Sequence, residues 1–130
     1  MVTEKIRKAW ESADFHDLAE IYAPDALLDV TFPQWRFQVR GTDAITGQFR
    51  EWYPAGAPKE FRWEERPTAW GAVVEAEEIR TDAEGGLYSR WINVFVTDGD
   101  RITNHVLYCS GMWDEEAVAH QKAHAPMVGS

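Results

Sequence analysis

Cysteine is nearly absent: Cys109 is the only one in 130 residues. No disulfide can form within the chain, which fits a reducing compartment and makes a cytoplasmic location the expectation. No apolar run approaches the length that crosses a bilayer. The opening MVTEKIRKAWESAD lacks an apolar segment followed by small residues, so no signal peptide is expected. Basic residues are scarce, with 13 Lys+Arg against 22 Asp+Glu and a net charge of −9. Such a surface repels phosphate backbones and anionic lipid, so nucleic acid and membrane are not expected partners. The GxGxxG, GxxxxGK and GxSxG patterns are missing too, which leaves nucleotide-binding and serine-hydrolase readings without support.

Apolar residues are plentiful. They make up 45% of the chain, enough for one real core, so a single domain over 1–130 is expected. Val2, Ile6, Ala9, Trp10 and Ala13 recur at helical spacing. Asp14 can cap a second helix with the stripe Phe15, Leu18, Ala19 and Tyr22, ended by Pro24. Leu28, Val30 and Phe32 then alternate with polar positions as a strand, and WRFQV follows as another. Thr42 can cap a third helix with the face Ile45, Phe49, Trp52 and Tyr53.

Beyond the PAGAP loop the period changes to two. Phe61 and Trp63 begin one strand, and Pro67 predicts a break or bulge in it. Residues 70–81 and 87–97 flank DAEGG, a hairpin signal, and Asp98-Gly99 joins the latter strand to 101–112. Residues 113–130 read as a short C-terminal helix and a loose tail. Helices first and antiparallel strands last predict an α+β fold, with helices against one face of a sheet.

Residues 14–53, DFHDLAEIYAPDALLDVTFPQWRFQVRGTDAITGQFREWY, carry a resemblance in the order of their elements. They resemble the SnoaL-like branch of the nuclear transport factor two-like superfamily. That superfamily includes polyketide cyclases, ketosteroid isomerase, limonene epoxide hydrolase and scytalone dehydratase. The resemblance implies a cone-shaped barrel, a curved antiparallel or mixed sheet wrapped around the N-terminal helices with an internal pocket. It also implies acid/base chemistry without a cofactor or metal: isomerisation, cyclisation, dehydration or hydration of a hydrophobic, polyketide-like or secondary-metabolite substrate. A non-catalytic ligand-binding or dimerising protein on the same fold is the alternative.

The last hairpin can be phased from its loop. A two- or four-residue loop at Asp98-Gly99 places Tyr88, Arg90, Ile92 and Val94 on one face with Thr103, His105, Leu107 and Cys109. Trp91, Asn93, Phe95, Val106 and Tyr108 then occupy the other; a three-residue loop reverses the match. DRITNHVLYCSGMW is similar to the last strand of ketosteroid isomerase, and that likeness makes the His105 face the pocket. The face with Trp91, Phe95 and Tyr108 then needs its own cover, and a homodimer is expected there.

Candidate chemistry follows from that phasing. His105 is the candidate proton carrier, against the alternative of a histidine satisfied within the core. Glu78, opposite Arg90 on a simple hairpin count, pairs with it or joins it in binding a substrate oxygen. Tyr88 could donate to a carbonyl. Trp10, Leu28, Val30, Phe32, Phe49, Trp52, Tyr53, Trp63, Glu65, Ile92, Leu107 and Cys109 are the candidate lining, although most of the aromatic residues must also build the core. By resemblance, Val30 stands where the isomerase has its catalytic aspartate, and Leu107 where the epoxide hydrolase has an acidic residue. Those two reactions therefore lack their own groups here. His105 and Cys109 are four residues apart along a strand, about 13 Å, too far for a dyad. His120 and His124 have helical spacing but no further metal ligand beside them in the sequence.

Overall fold

A computed structural model describes residues 2–82 and 85–129. Helix α1 (Val2–Ser12) is followed by a 3₁₀ turn (Leu18–Glu20), strands β1 (Tyr22–Phe32) and β2 (Trp35–Arg40), and helix α2 (Thr42–Trp52). Strands β3 (Glu60–Thr68), β4 (Gly71–Asp82), β5 (Gly85–Asp98) and β6 (Arg101–Cys109) come next, then helix α3 (Glu115–His124). The strands form one sheet in the order β2-β1-β6-β5-β4-β3. Only the β1–β6 pair is parallel, so the sheet is mixed, curved and open at both edges. The α+β arrangement is as the periodicity predicts.

Alternation along each strand decides what faces the helices. Leu28 and Val30 of β1, Val74 and Ala76 of β4, Phe95 of β5 and Leu107 of β6 are all buried on the inner face. Trp10 of α1 is fully buried against them. Its ring meets Phe49 at 5.5 Å, Trp63 at 5.7 Å and Trp91 at 5.2 Å between centroids. Thr3 donates to Glu65 Oε2 at 3.1 Å and Trp63 Nε1 donates to Glu65 Oε1 at 3.3 Å. Glu65 thereby ties α1 to β3, and its carboxylate is committed to that tie.

Three local expectations are corrected. The helix expected from Asp14 shrinks to the 3₁₀ turn. Asp14 turns its carboxylate to the backbone N–H of His16, a local bond that competes with helix entry. β1 begins at Tyr22 and carries Pro24, which the sheet tolerates because β2 pairs only from Leu27 and the β6 register shifts between Tyr22 and Leu27. Second, Pro67 breaks nothing: β3 is an edge strand, so the missing N–H costs no ladder bond. Gly41, not Thr42, is the N-cap of α2, and the Thr42 hydroxyl donates to the Ala23 carbonyl instead.

The largest correction is to the last hairpin. Its loop is the two-residue Gly99-Asp100, with Asp98 opposite Arg101 and Thr97 opposite Ile102. The next pair is Val96 opposite Asn104, so Thr103 is an extra residue, a β-bulge whose hydroxyl donates to the Val96 carbonyl at 3.2 Å. One extra residue inverts the match of faces. Phe95 now lies opposite His105, Asn93 opposite Leu107, and Trp91 opposite Cys109. Trp91, Asn93 and Phe95 therefore point inward, and Tyr88, Arg90 and Ile92 point outward. Of the residues expected beneath a partner subunit, only Tyr108 stays on the outer face, where it is exposed. The DAEGG turn lies partly outside the described residues, but Thr81 opposite Gly86 and Asp82 opposite Gly85 show the hairpin that it joins.

Candidate functional site

His105 is completely buried, and both ring nitrogens are bonded. Asn93 Oδ1, which can only accept, lies 2.8 Å from Nε2, so Nε2 carries the proton. Nδ1, 2.9 Å from Tyr22 Oη, then accepts from that hydroxyl. Rings enclose the imidazole: Phe95 at 4.3 Å, Trp10 at 5.6 Å and Tyr22 at 6.1 Å between centroids. Burial pushes its pKa down to about 3 and holds it neutral. This is a histidine satisfied within the core, the alternative that the sequence reading kept open. It lines none of the clefts described below.

A second polar cluster lies where β1, β4 and β6 finish. Glu78 and Arg80 share the inner face of β4 and are 2% and 8% exposed. A buried carboxylate needs partners. Tyr53 Oη donates to Glu78 Oε2 at 2.8 Å, Ser89 Oγ donates to Oε1 at 3.4 Å, and Arg80 Nε stands 3.9 Å from Oε1. The Arg80 guanidinium also lies over the Tyr53 ring, 4.5 Å from its centroid. Trp91 Nε1 donates to Ser89 Oγ at 3.0 Å, which extends the chain of bonds to the sheet centre. Burial raises the Tyr53 hydroxyl well above its ordinary pKa, with the neighbouring Glu78 charge adding to it.

Arg80 also lines a narrow apolar cleft. Its walls are Phe32, Trp52, Trp91, Leu107 and Cys109, and Met112 stands at its lip. The free volume is about 10 Å³, no more than one water fills. Burial pushes the Cys109 thiol up to about 11, so it stays protonated at neutral pH and is a poor nucleophile. Glu78 stands behind Arg80. On its other side it borders a shallow groove of about 150 Å³ with Glu60, Phe61, Arg62 and Tyr88. A larger hollow, about 280 Å³, lies between α1 and the 3₁₀ turn, but its polar residues, Lys5, Lys8, Ser12, Asp14, His16, Asp17 and Glu20, are all exposed. It lacks the desolvated groups that acid/base chemistry uses.

Of the residues singled out in the sequence, Phe32, Trp52, Leu107 and Cys109 meet at the cleft, with Glu78 and Tyr53 behind it. Trp10, Leu28, Val30 and Phe49 are fully buried core, and Trp63 packs against that core. Arg90 lies on the outer face, where it bonds Glu75 at 3.2 Å and faces Glu77 at 3.9 Å. The β4–β5 register places it opposite Glu77, one residue from the simple count, and Glu78 opposite Ser89. Tyr88 donates to Glu77 on the same outer side, and burial with that bond pushes its hydroxyl up to about 12. Ile92 is half-buried there. The rings of His120 and His124 sit 4.6 Å apart on α3. Among the described residues, no group of three or more His, Cys, Asp or Glu side chains is arranged to hold a metal ion.

Arg80, Ser89, Trp91, Asn93 and Met112 are site or network residues that sequence reasoning missed. Arg80 was legible: in GAVVEAEEIR the alternation Ala72, Val74, Ala76, Glu78, Arg80 puts both charges on the apolar face. Trp91 and Asn93 were hidden by the bulge. Nothing local marks Met112.

No family model and no curated protein matches the chain. Solved structures do. A candidate isomerase from Rhodopseudomonas palustris superposes with a TM-score of 0.68 at 13% identity, over 94% of this chain and 93% of that one. An NTF2-like protein of unknown function from Burkholderia xenovorans gives 0.57 at 21% identity, over 98% and 95%. An LEH-like epoxide hydrolase of M. tuberculosis gives 0.56 at 17% identity, over 84% and 80%. The fold is therefore the NTF2-like cone. Identities this low establish the architecture alone.

Proposed function

We propose that the chain is a small cofactor-independent acid/base enzyme acting on a hydrophobic substrate at the Arg80 cleft. One observation carries this reading: a carboxylate 2% exposed, held by Tyr53 and Ser89, beside buried Arg80, whose side chain lines an apolar cleft. Desolvated opposite charges beside a cleft suit proton transfer from carbon. In an isomerisation, a substrate that reaches past Arg80 gives Glu78 the proton from the carbon beside its carbonyl. The electron pair passes to the carbonyl oxygen, and Glu78 returns the proton at another carbon. The isomerase and epoxide-hydrolase descriptions of the neighbouring structures are compatible with this class. The substrate in this reading is a polyketide-like or other secondary metabolite, matched to the aromatic character of the walls. A homodimer through the outer sheet face is part of the proposal. That face carries half-buried Val73, Ile92, Val94 and Val106 around exposed Tyr108.

The test is turnover of a panel of β,γ-unsaturated ketones, β-hydroxyketones and epoxides, with Glu78→Gln beside the parent chain. A general base contributes about 10²–10⁴-fold, so Glu78→Gln should lose roughly that much of kcat on any substrate turned over. Turnover that survives Glu78→Gln unchanged rejects the assignment. Ligands that bind and are never turned over favour the second reading, a binding protein, which the nearly filled interior also supports.

A further inference from the structure

The cleft is too small for any substrate as it stands, and the chain around Met112 shows why. Ser110 and Trp113 are both anchored to β5. The Ser110 N–H donates to the Arg90 carbonyl at 2.9 Å, and the Arg90 N–H donates to Ser110 Oγ at 2.9 Å. Trp113 and Tyr88 exchange two backbone bonds, of 2.7 and 2.8 Å, and Trp113 Nε1 donates to the Ser110 carbonyl at 3.2 Å. Between these anchors only Gly111 and Met112 are left to bow outward. Gly111 has φ 82°, in the left-handed region, and a Cβ there would come within 3.3 Å of Pro33 Cγ. Gly111 thus turns the chain so that Met112 lies over the cleft while remaining 41% exposed.

We infer that Met112 is a displaceable plug on the cleft, and that the site beneath it takes a flat aromatic ring system. The inference rests on the reading of the Arg80 cleft as the functional site and names its ligand class. Methionine is the apolar side chain best suited to this role, since it is unbranched and turns about three bonds. It is partly in water already, so swinging it outward exposes only the part of the side chain that now covers the cleft, and that is the cost its truncation removes. What it uncovers is walled by the indoles of Trp52 and Trp91 and the ring of Phe32, with the Arg80 side chain at its edge. Rings prefer offset or edge-to-face neighbours, so these walls select a planar apolar body. Leu107 and Cys109 offer no charge at neutral pH.

The experiment titrates 2-acetylnaphthalene, a flat ring system with a single carbonyl, into three forms of the full chain. Quenching of tryptophan fluorescence reads binding. Met112→Ala should bind at least tenfold more tightly than the parent, because the plug need not move. Met112→Trp should bind at least tenfold more weakly. Met127→Ala, a change at a 79% exposed methionine of the tail, should leave affinity as it is. Far-UV circular dichroism of each variant checks the fold, which a partly exposed side chain leaves intact. Equal affinity in Met112→Ala and the parent overturns the plug. If Met112→Ala tightens binding while Glu78→Gln keeps turnover, the acid/base reading fails and the plug stands. If Glu78→Gln abolishes turnover and Met112→Ala changes nothing, the reverse holds.

Discussion

The neutral, buried imidazole of His105 makes a quantitative pH prediction. An unfolded histidine titrates near 6.5, whereas burial holds the folded His105 down to about 3. Between those values the unfolded chain binds a proton that the folded chain refuses. The stability tied to His105 is therefore fully present above pH 6.5 and is lost as the pH falls toward 3. Linkage gives a loss of about 2 kcal/mol between pH 7 and pH 5 from this one group. Other groups contribute to the pH dependence of the parent chain, so that chain alone does not isolate it. His105→Gln does, because an amide can still bond Tyr22 and Asn93 but does not ionise. Urea unfolding of both chains at the two pH values gives the comparison. The parent's advantage over His105→Gln should shrink by about 2 kcal/mol on going to pH 5. An advantage that is the same at both pH values, or a His105 resonance titrating near 6.5, refutes the account of this residue.

Two further predictions test the packing and the assembly. Trp10→Ala removes a fully buried indole that meets five aromatic neighbours, including Phe95 at 6.4 Å and His105 at 5.6 Å. It should cost about 3–5 kcal/mol in urea unfolding, and a loss below about 1 kcal/mol would show the interior to be hollow there. Light scattering should give twice the 14.9 kDa chain mass at micromolar concentration, and Tyr108→Arg should shift the population toward monomer. A parent chain that is already monomeric at that concentration rejects the dimer.

How much of this was legible in the sequence varies from element to element. α1, α2 and the strands after residue 58 follow from periods of 3.6 and 2 that tertiary packing leaves alone. Asp98-Gly99 marked the last hairpin but left the length of its loop open. The bulge at Thr103 was not legible, since it breaks the alternation of β6 only between buried Ile102 and buried His105, and its main effect is on how the strands match. That single residue exchanged the faces of Arg90 and Trp91. It turned an expected inward guanidinium into a surface one and brought an unexpected indole into the cleft. Glu78 and Arg80 kept their face because the alternation on β4 runs without interruption. His105 pointed inward as read, but whether it met a cavity or a wall of rings depended on Tyr22, Asn93 and Trp10. Those three come from β1, β5 and α1, and no local pattern links them.

The central claim is that ligand chemistry belongs to the Arg80 cleft and not to the His105 core. Indole N–H resonances of the seven tryptophans report on both places at once. On saturation with 2-acetylnaphthalene, the Trp52 and Trp91 signals should move, because these rings wall the cleft. Trp70, in the remote β3–β4 turn, should stay where it is. If Trp52 and Trp91 are unmoved while Trp10, packed on His105, shifts, the site lies in the core and the account is contradicted.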